Sequence, residues 1–531
     1  MKFKSISMLC CTVAVFAFIV VGALQNISLL QAPLEKLSGG EIEFDAFIDE
    51  VQNAYKSDEF TNKDFYININ GLFASLTGRN LYNEVVKLNN GQLSNSIATK
   101  WNSANQAKTL AEFSDFLENG GIEFLYVQAP HKTDLSGENM PVGLVNTSNE
   151  NADAFLKNLS EKGVETLDLR PILAPDAETA KKYFYNTDHH WNNDGAFLAY
   201  GEILSALNEK FPEANIDMSY ADESNWETTV YEDRFLGSLG KRVGIYFGGV
   251  DDYKLYTPKF ETDMYFSVNQ KRTIFQKGDF VTANVLKDKY LTNTPDYFAE
   301  NTYCTYIGGD YPLVQHRNSL VKNGLKVLII KDSFTLPIQA FLSTAVQEID
   351  VLDPRHFKNI SIAEYAELTQ PDIVIMMTNP SVMTDSKYYN GINVAAAKEQ
   401  QKATVSEKIA SLSEINLKST EGSNYTHHTA FEGLSFNTKY TLTVKDLKQL
   451  EGDAETVTFA LYNKTTKNVV ITKSFCFEYD RGENGFEWSF VTPEKADGEL
   501  EVLMYSGLAG DAGGNHIVAT ELELFEMKTP K

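Results

Sequence analysis

Cysteine is scarce in this 531-residue chain: there are four, and Cys10 and Cys11 sit inside an apolar N-terminal run. The remaining two, Cys304 and Cys476, are far apart in what read as different domains, so a disulfide between them is not the expected outcome. No zinc-type cysteine cluster can be assembled. Positive charge is also short, since 47 Lys and Arg face 72 Asp and Glu for a formal net charge of −25. That balance argues against a general affinity for nucleic acid or for an anionic membrane surface, and a neutral or polar substrate fits better. Internal repeats and long low-complexity tracts are missing as well. What is present, 43% apolar and 12% aromatic residues, is the composition of folded material, and the length suggests two or three domains.

The chain opens "MKFKSISMLCCTVAVFAFIVVGALQN", with Lys2 and Lys4 ahead of an uncharged run of nineteen residues, Ile6 to Leu24. As a helix this run would cover about 30 Å, enough for a membrane span. The two lysines would stay on the cytoplasmic side, so everything downstream is expected outside the cytoplasm. Val21-Gly22-Ala23 resembles a small-residue cleavage site, so a removed signal peptide (1–25) and a retained membrane anchor both stand.

After residue 40, "EFDAFIDEVQNAYKSDEF" reads as an amphipathic helix and "FYININGLFASLTGRNLYNEVVKLNNGQLSN" as strand and turn. A clearer alternation follows. "GIEFLYVQAP", "VETLDLR", "KVLIIKDSF", "EIDVLDPRHF" and "PDIVIMMTNP" are short buried strands. "NADAFLKNLSEKG", "GAFLAYGEILSALNEKF" and "LPIQAFLSTAV" have helical spacing. Strands alternating with helices predict an α/β domain over 40–400, built on a parallel sheet with ligands gathering at the carboxyl ends of its strands. Between 213 and 320 the alternation gives way to aromatic, β-like text, read as an insertion or cap beside the sheet. "GINVAAAKEQQKATVSEKIASL" reads as a closing helix and linker. From 415 to 531, short strands separated by turns predict an antiparallel β-sandwich.

Two stretches carry chemistry. In "VLIIKDSFTLPIQAFL", Ser333 falls between a strand and a helix, where backbone N–H groups and the helix dipole can stabilise an oxyanion. By itself this could be an ordinary helix cap. A serine needs a base, and the base needs an orienting group. "YFYNTDHHWNND" supplies both: Asp188 and His190 are one residue apart, so a bend can bring the carboxylate to Nδ1 while Nε2 faces the serine. His189 is the member of the string that this arrangement needs least. Trp191 is either a sugar platform or packing for the following helix.

"TDHHW" followed by "KDSF" resembles the DHHW proteins and the related alginate O-acetyltransferase family, whose fold is similar to SGNH hydrolases. The resemblance runs over roughly residues 45 to 390, with "APHK" and "DPRHF" as weaker support. It implies an SGNH-like, flavodoxin-type sheet, with Ser333 as nucleophile, His190 as base and then acid, and Asp188 as the orienter. It implies an extracytoplasmic O-acetyltransferase or acetylesterase acting on a surface polysaccharide or cell-wall glycan, and a membrane-bound O-acyltransferase partner supplying acetyl groups. Asn379 occupies a place similar to an SGNH oxyanion Asn, or else is a turn residue before Pro380. Lys132 and Arg355 are pocket residues or surface charges. The usual Gly before Asp-Ser is Lys331 here, a departure that alters the local turn.

A D-H-H string also occurs in metal-dependent phosphoesterases, but His131, His316 and His356 lack ligand-like spacing, so neither metal nor cofactor is expected. In the sandwich, Tyr462, Trp488 and Tyr505 are candidates for stacking on sugar, with core packing as the alternative. His427 and His428 are expected in a loop. A second function class remains: a non-catalytic glycan-binding or polysaccharide-assembly factor on a degenerate SGNH scaffold.

Overall fold

The computed structural model describes residues 20–530, apart from 58, 269–274, 359, 419–426, 453–455, 478–485, 494–497 and 507–513. The apolar run through residue 19 therefore lies outside the described residues. Among those described, no helix is long and apolar enough to cross a membrane.

The α/β domain is organised on one eight-stranded sheet. Its strands are β1 (Glu123–Gln128), β2 (Thr166–Asp168), β3 (Met264–Val268), β4 (Phe275–Gly278), β5 (Leu313–Asn318), β6 (Lys326–Lys331), β7 (Glu348–Leu352) and β8 (Ile373–Thr378). In space the order is β2-β1-β8-β6-β7-β5-β3-β4. The first five are parallel, with β6 pairing β8 at Val327↔Ile373 and β7 at Val327↔Ile349. The last three run antiparallel. The β-rich stretch 213–320 thus contributes three strands to the sheet itself, and the hairpin Trp226–Phe235 with Asp251–Pro258 stands apart from it.

Strand alternation divides the domain into two layers. Leu328, Ile330, Val374 and Met376 share a core with the helices α1 (Ala104–Asn119), α2 (Ser148–Ser160) and α5 (Ile362–Thr369). Their sequence neighbours Val327, Ile329, Ile373 and Ile375 share the other with α3 (Asn193–Lys210) and α4 (Thr335–Leu342). Both faces are covered, which is why these strands are apolar without alternation.

The C-terminal region consists of antiparallel sheets, one ordered Val405–Leu412, Glu521–Lys528, Lys439–Lys445, Phe486–Val491 and another His427–Leu434, Leu500–Ser506, Thr456–Asn463, Asn468–Cys476. The α1/α2/α5 core continues into it through Leu442, Phe459 and Trp488.

Four local expectations are corrected. Lys63–Leu76, within text read as strand and turn, is a helix that packs so tightly that a Cβ on Gly71 would lie 2.0 Å from the Val243 carbonyl oxygen. The expected linker after the helix Val394–Gln401 is the strand Val405–Leu412, paired with Glu521–Lys528. His427 and His428 open a strand and do not lie in a loop. Trp488 and Tyr505 are buried, so neither presents a ring face for stacking, while Tyr462 is half-buried. Cys304 and Cys476 are both buried, and no disulfide joins them.

His316 on β5 is buried against Phe266, with Nε2 3.4 Å from Gln339 Oε1. Burial, opposed by the Gln339 bond and reinforced by Arg317, lowers its pKa to about 4. The unfolded chain therefore binds a proton that the folded chain refuses between pH 6.5 and 4, and stability falls as pH falls through that window. At pH 5 the loss is on the order of 2 kcal/mol for a fully buried histidine shifted this far. Urea unfolding at pH 7 and pH 5 is expected to show this decline, and a His316→Phe variant should show a shallower one; an identical pH slope in the variant would assign the acid sensitivity elsewhere.

Candidate active site

The motif Asp188–Asn193 serves two purposes at once. Asn192 is the N-cap of α3, its side chain accepting the Gly195 N–H at 3.0 Å. Asn193 is the first helical residue and donates to the Lys254 carbonyl at 2.8 Å. The preceding bend turns Asp188 and His190 back toward the sheet. There Asp188 Oδ1 lies 2.5 Å from His190 Nδ1 and 3.0 Å from the His190 backbone nitrogen. On the far side of the ring, His190 Nε2 lies 2.6 Å from Ser333 Oγ. With Nδ1 donating to the carboxylate, Nε2 is the acceptor for the serine hydroxyl. The structure thus brings together Asp188, His190 and Ser333 in one line of hydrogen bonds.

Ser333 is delivered by the end of β6. Asp332 turns inward, its Oδ1 accepting the Phe334 N–H at 2.9 Å and its Oδ2 accepting both the backbone and side-chain N–H of Asn379 at 2.7 Å. Burial raises the Asp332 pKa, and those hydrogen bonds act against the rise. The Ser333 backbone N–H donates to no protein acceptor among the described residues. It stands beside the N-terminus of α4, whose dipole favours negative charge. A donor left free at this point suits an oxyanion on an acyl group attached to Ser333.

Asp188 is fully buried. Burial by itself would raise its pKa, but His189, His190 and the Ser238 N–H, which donates to Oδ2 at 2.6 Å, hold it well below the usual carboxylate range. His189 has 37% of its side chain exposed, with Nδ1 2.9 Å from Ser238 Oγ and its ring 3.8 Å from the His190 ring. Loss of water around the imidazole, then the neighbouring His190, lowers the His189 pKa to about 4 and keeps it neutral near pH 7.

The other expected pocket residues take different places. Lys132 is 1% exposed and donates to the carbonyls of Leu93, at 2.7 Å, and Asp188, so it supports the backbone beneath the motif. Burial lowers its pKa to about 8 against the pull of Asp251 and Asp188. Trp191 is 0% exposed and donates from Nε1 to the Phe334 carbonyl at 3.1 Å, so it ties the two motifs together and has no face for a sugar. Asn379 donates from both its backbone and its side-chain N–H to Asp332 Oδ2 at 2.7 Å. Arg355 pairs with Asp310 at 2.7 Å and Asp353 at 2.5 Å.

Several supporting residues carried no signal in the sequence. Gly237 and Ser238 close over Asp188, Asp251 accepts the Asn186 and Thr187 N–H groups at 2.6 and 2.8 Å, and Tyr303 stacks on His190 with centroids 3.8 Å apart and planes 10° apart. Gly237, Ser238 and Asp251 lie at least 44 residues beyond the end of the Asp188–Asn193 motif, and Tyr303 sits in text without a recognisable pattern.

Asp188, His189 and His190 also bring ligand-type atoms within 4.8 Å of one another. A cation would compete for the lone pairs these groups already commit: Asp188 to three N–H donors and His190 Nε2 to Ser333. The donor set fits the hydrogen-bonded line better than a metal.

Gly237 permits this packing. A Cβ there would lie 2.3 Å from Asp188 Cβ and 2.5 Å from its Cα. Gly237→Ala is therefore expected to displace Asp188 and break its hydrogen bond to His190, seen as loss of the downfield His190 Nδ1–H signal in NMR spectra. Retention of that signal in the folded variant would show that Asp188 does not depend on this contact.

Two family models match this part of the chain: "SGNH hydrolase-like domain, acetyltransferase AlgX" over residues 91–246, and "DHHW protein" over residues 176–352. No curated protein sequence matches. Among solved structures, Bacillus cereus PatB1 is similar with a TM-score of 0.48 and 22% identity over 57% of this chain and 98% of its own. A DHHW family protein from Eubacterium siraeum gives 0.45 and 20% over 59% and 96%. Pseudomonas aeruginosa AlgX gives 0.33 and 12% over 83% and 94%. By the family models, residues 176–352, which hold Asp188, His190 and Ser333, are similar to the DHHW proteins, and residues 91–246, which hold Asp188 and His190, to the SGNH hydrolase-like acetyltransferase domain.

Proposed function

We propose that this protein is an O-acetyltransferase or acetylesterase that works outside the cytoplasm on hydroxyl groups of a surface polysaccharide or cell-wall glycan. The observation that carries the reading is the continuous line from Asp188 through His190 to Ser333, with contacts of 2.5 and 2.6 Å. The match to an acetyltransferase domain model supports the choice of acyl group.

In this mechanism His190 Nε2 takes the proton from Ser333 Oγ as that oxygen attacks an acetyl carbonyl. The new C–O bond leaves negative charge on the carbonyl oxygen, which accepts the Ser333 N–H at the head of α4. Collapse breaks the bond to the donor's leaving group, which receives the proton from His190, and acetyl-Ser333 remains. An incoming glycan hydroxyl then gives its proton to Nε2 and takes the acetyl group, regenerating the serine; water in its place gives acetate. Asp188 keeps Nδ1 protonated throughout and stabilises the imidazolium.

The acetyl donor is a membrane-bound O-acyltransferase partner, and the N-terminal segment, as leader or anchor, places the chain beside it. The C-terminal sandwich is a glycan-binding module in this scheme. Its sugar face does not use Trp488 or Tyr505, which are buried. A scaffold that only binds glycan would have no need for a base within hydrogen-bond reach of a serine.

The test is release of acetate from a chromogenic acetyl ester by the purified chain. Wild type should turn over slowly, and Ser333→Ala and His190→Ala should each lose on the order of 1,000-fold or more. Mass spectrometry of quenched wild type should find one acetyl group on Ser333. Equal rates for all three proteins would refute the triad. With glycan oligosaccharides added, acetylated sugar identifies a transferase and acetate alone an esterase.

A further inference from the structure

Next to the Asp188–His190–Ser333 line is a second cluster of charge. Lys331, the residue before Asp332-Ser333, has a side chain that is 0% exposed. Its ammonium pairs with Asp310 and lies 3.5 Å from Asp353. Arg355 bridges the same two carboxylates, at 2.7 Å from Asp310 and through Nε at 2.9 Å from Asp353. Two cations and two anions cancel. A lone buried ammonium would be costly, and this partnership lets Lys331 stand at the end of a core strand. Although burial opposes it, the two cations hold the Asp310 carboxyl down at about 2, so Asp310 stays ionised through the neutral and mildly acidic range.

Asp310 ends a loop whose other end is Tyr303. Tyr303 is buried, lies face to face with His190 and donates its hydroxyl to the Ser333 carbonyl at 3.0 Å. It therefore touches both the base and the nucleophile's backbone. The segment between is not relaxed. Ile307 has φ of +70°, a conformation that a β-branched residue rarely adopts, and it is followed by Gly308 at +94° and Gly309 at +146°. Such strain persists only where the surroundings over-determine the backbone. Tyr306 is held by reciprocal hydrogen bonds with the Tyr256 backbone at 2.8 and 2.9 Å, and Ile307 donates to the Asn284 carbonyl at 2.9 Å. The far end is held by Lys331 and Arg355.

We propose that Lys331 and Asp310 are positioning residues: their ion pair latches the 303–310 loop so that Tyr303 keeps the His190 ring and the Ser333 carbonyl in register. Lys331 lies at the root of the nucleophile turn, so one side chain couples the strand that delivers Ser333 to the loop that orients its base. The latch acts on the chemical step and leaves substrate binding alone. It rests on the triad reading of the preceding section.

The test compares wild type with Asp310→Asn, Tyr303→Leu and the double variant, using the full chain and a chromogenic acetyl ester. Each single variant is expected to lower kcat by roughly tenfold with KM changed less than twofold, as befits lost orientation. Because both act through one device, the double variant should be about as slow as the slower single. An additive loss, close to the product of the two, would overturn the latch. So would Ser333-dependent turnover that Asp310→Asn leaves unchanged. Turnover that survives Ser333→Ala would instead sink the triad and with it any catalytic meaning for the latch.

A second readout does not need activity. The stacked Tyr303 ring should shift the His190 ring-proton signals upfield in histidine-labelled NMR spectra. That shift should disappear in Tyr303→Leu and largely disappear in folded Asp310→Asn. Its retention in Asp310→Asn would refute the coupling. If Asp310→Asn fails to fold, Lys331→Met removes the same ion pair from the other side and is held to the same outcomes.

Discussion

Burying the carboxylate of Asp188 is the constraint around which the rest of the structure is arranged. An ionised group in a dry site is tolerated only when its lone pairs are occupied, and here three N–H donors converge on it from His190 and Ser238. Each donor imposes a demand on a different part of the chain. The Ser238 N–H can reach only because Gly237 has no side chain. The bend that turns the His190 N–H inward is kept in place by Lys132 under the Asp188 carbonyl and by Asp251 under Asn186 and Thr187. Satisfying one carboxylate thus draws in segments around residues 130, 187, 237 and 251, and the imidazole is oriented as a result.

The sheet supplies the other half. Because successive side chains on β6 point to opposite layers, the strand is buried to its last residue, and the chain must turn sharply where Asp332 bonds back to Asn379 at the end of the neighbouring β8. Ser333 is what that turn leaves facing the cleft. Trp191 then joins the two halves, with its indole N–H on the Phe334 carbonyl and its ring edge-on to Phe334. The motif residue that looked most like a ligand platform is a strut between the Asp188–His190 bend and the Ser333 turn.

Much of this was legible in the sequence wherever local pattern and tertiary role agree. Apolar strand runs, the helical spacing of α3 and the separation of D-x-H from D-S all reflect interactions that recur along the chain. Asp188, His190 and Ser333 were legible as residue types with a chemistry. Their supports were not, because Tyr303, Gly237 and Asp251 matter through contacts across the fold that leave no period in the sequence. The helix Lys63–Leu76 was misread for a related reason: its Ile-Asn-Ile-Asn text alternates as a strand does, yet tight packing on the Val243–Phe247 segment decides its conformation. Asn379 and Arg355, expected in the pocket on type and position, each hydrogen-bond a carboxylate.

The apolar layer under α1, α2 and α5 does not stop at the domain edge. It runs on into the sandwich, where α5 meets the strand Phe486–Val491 and Glu367 pairs with Lys439 at 3.6 Å. Two units sharing one oily layer behave as a single solid, and neither can swing relative to the other without exposing that layer to water. A ligand that touched both units would therefore meet a surface of fixed spacing, with the distance between its contacts set by the fold and not by a hinge.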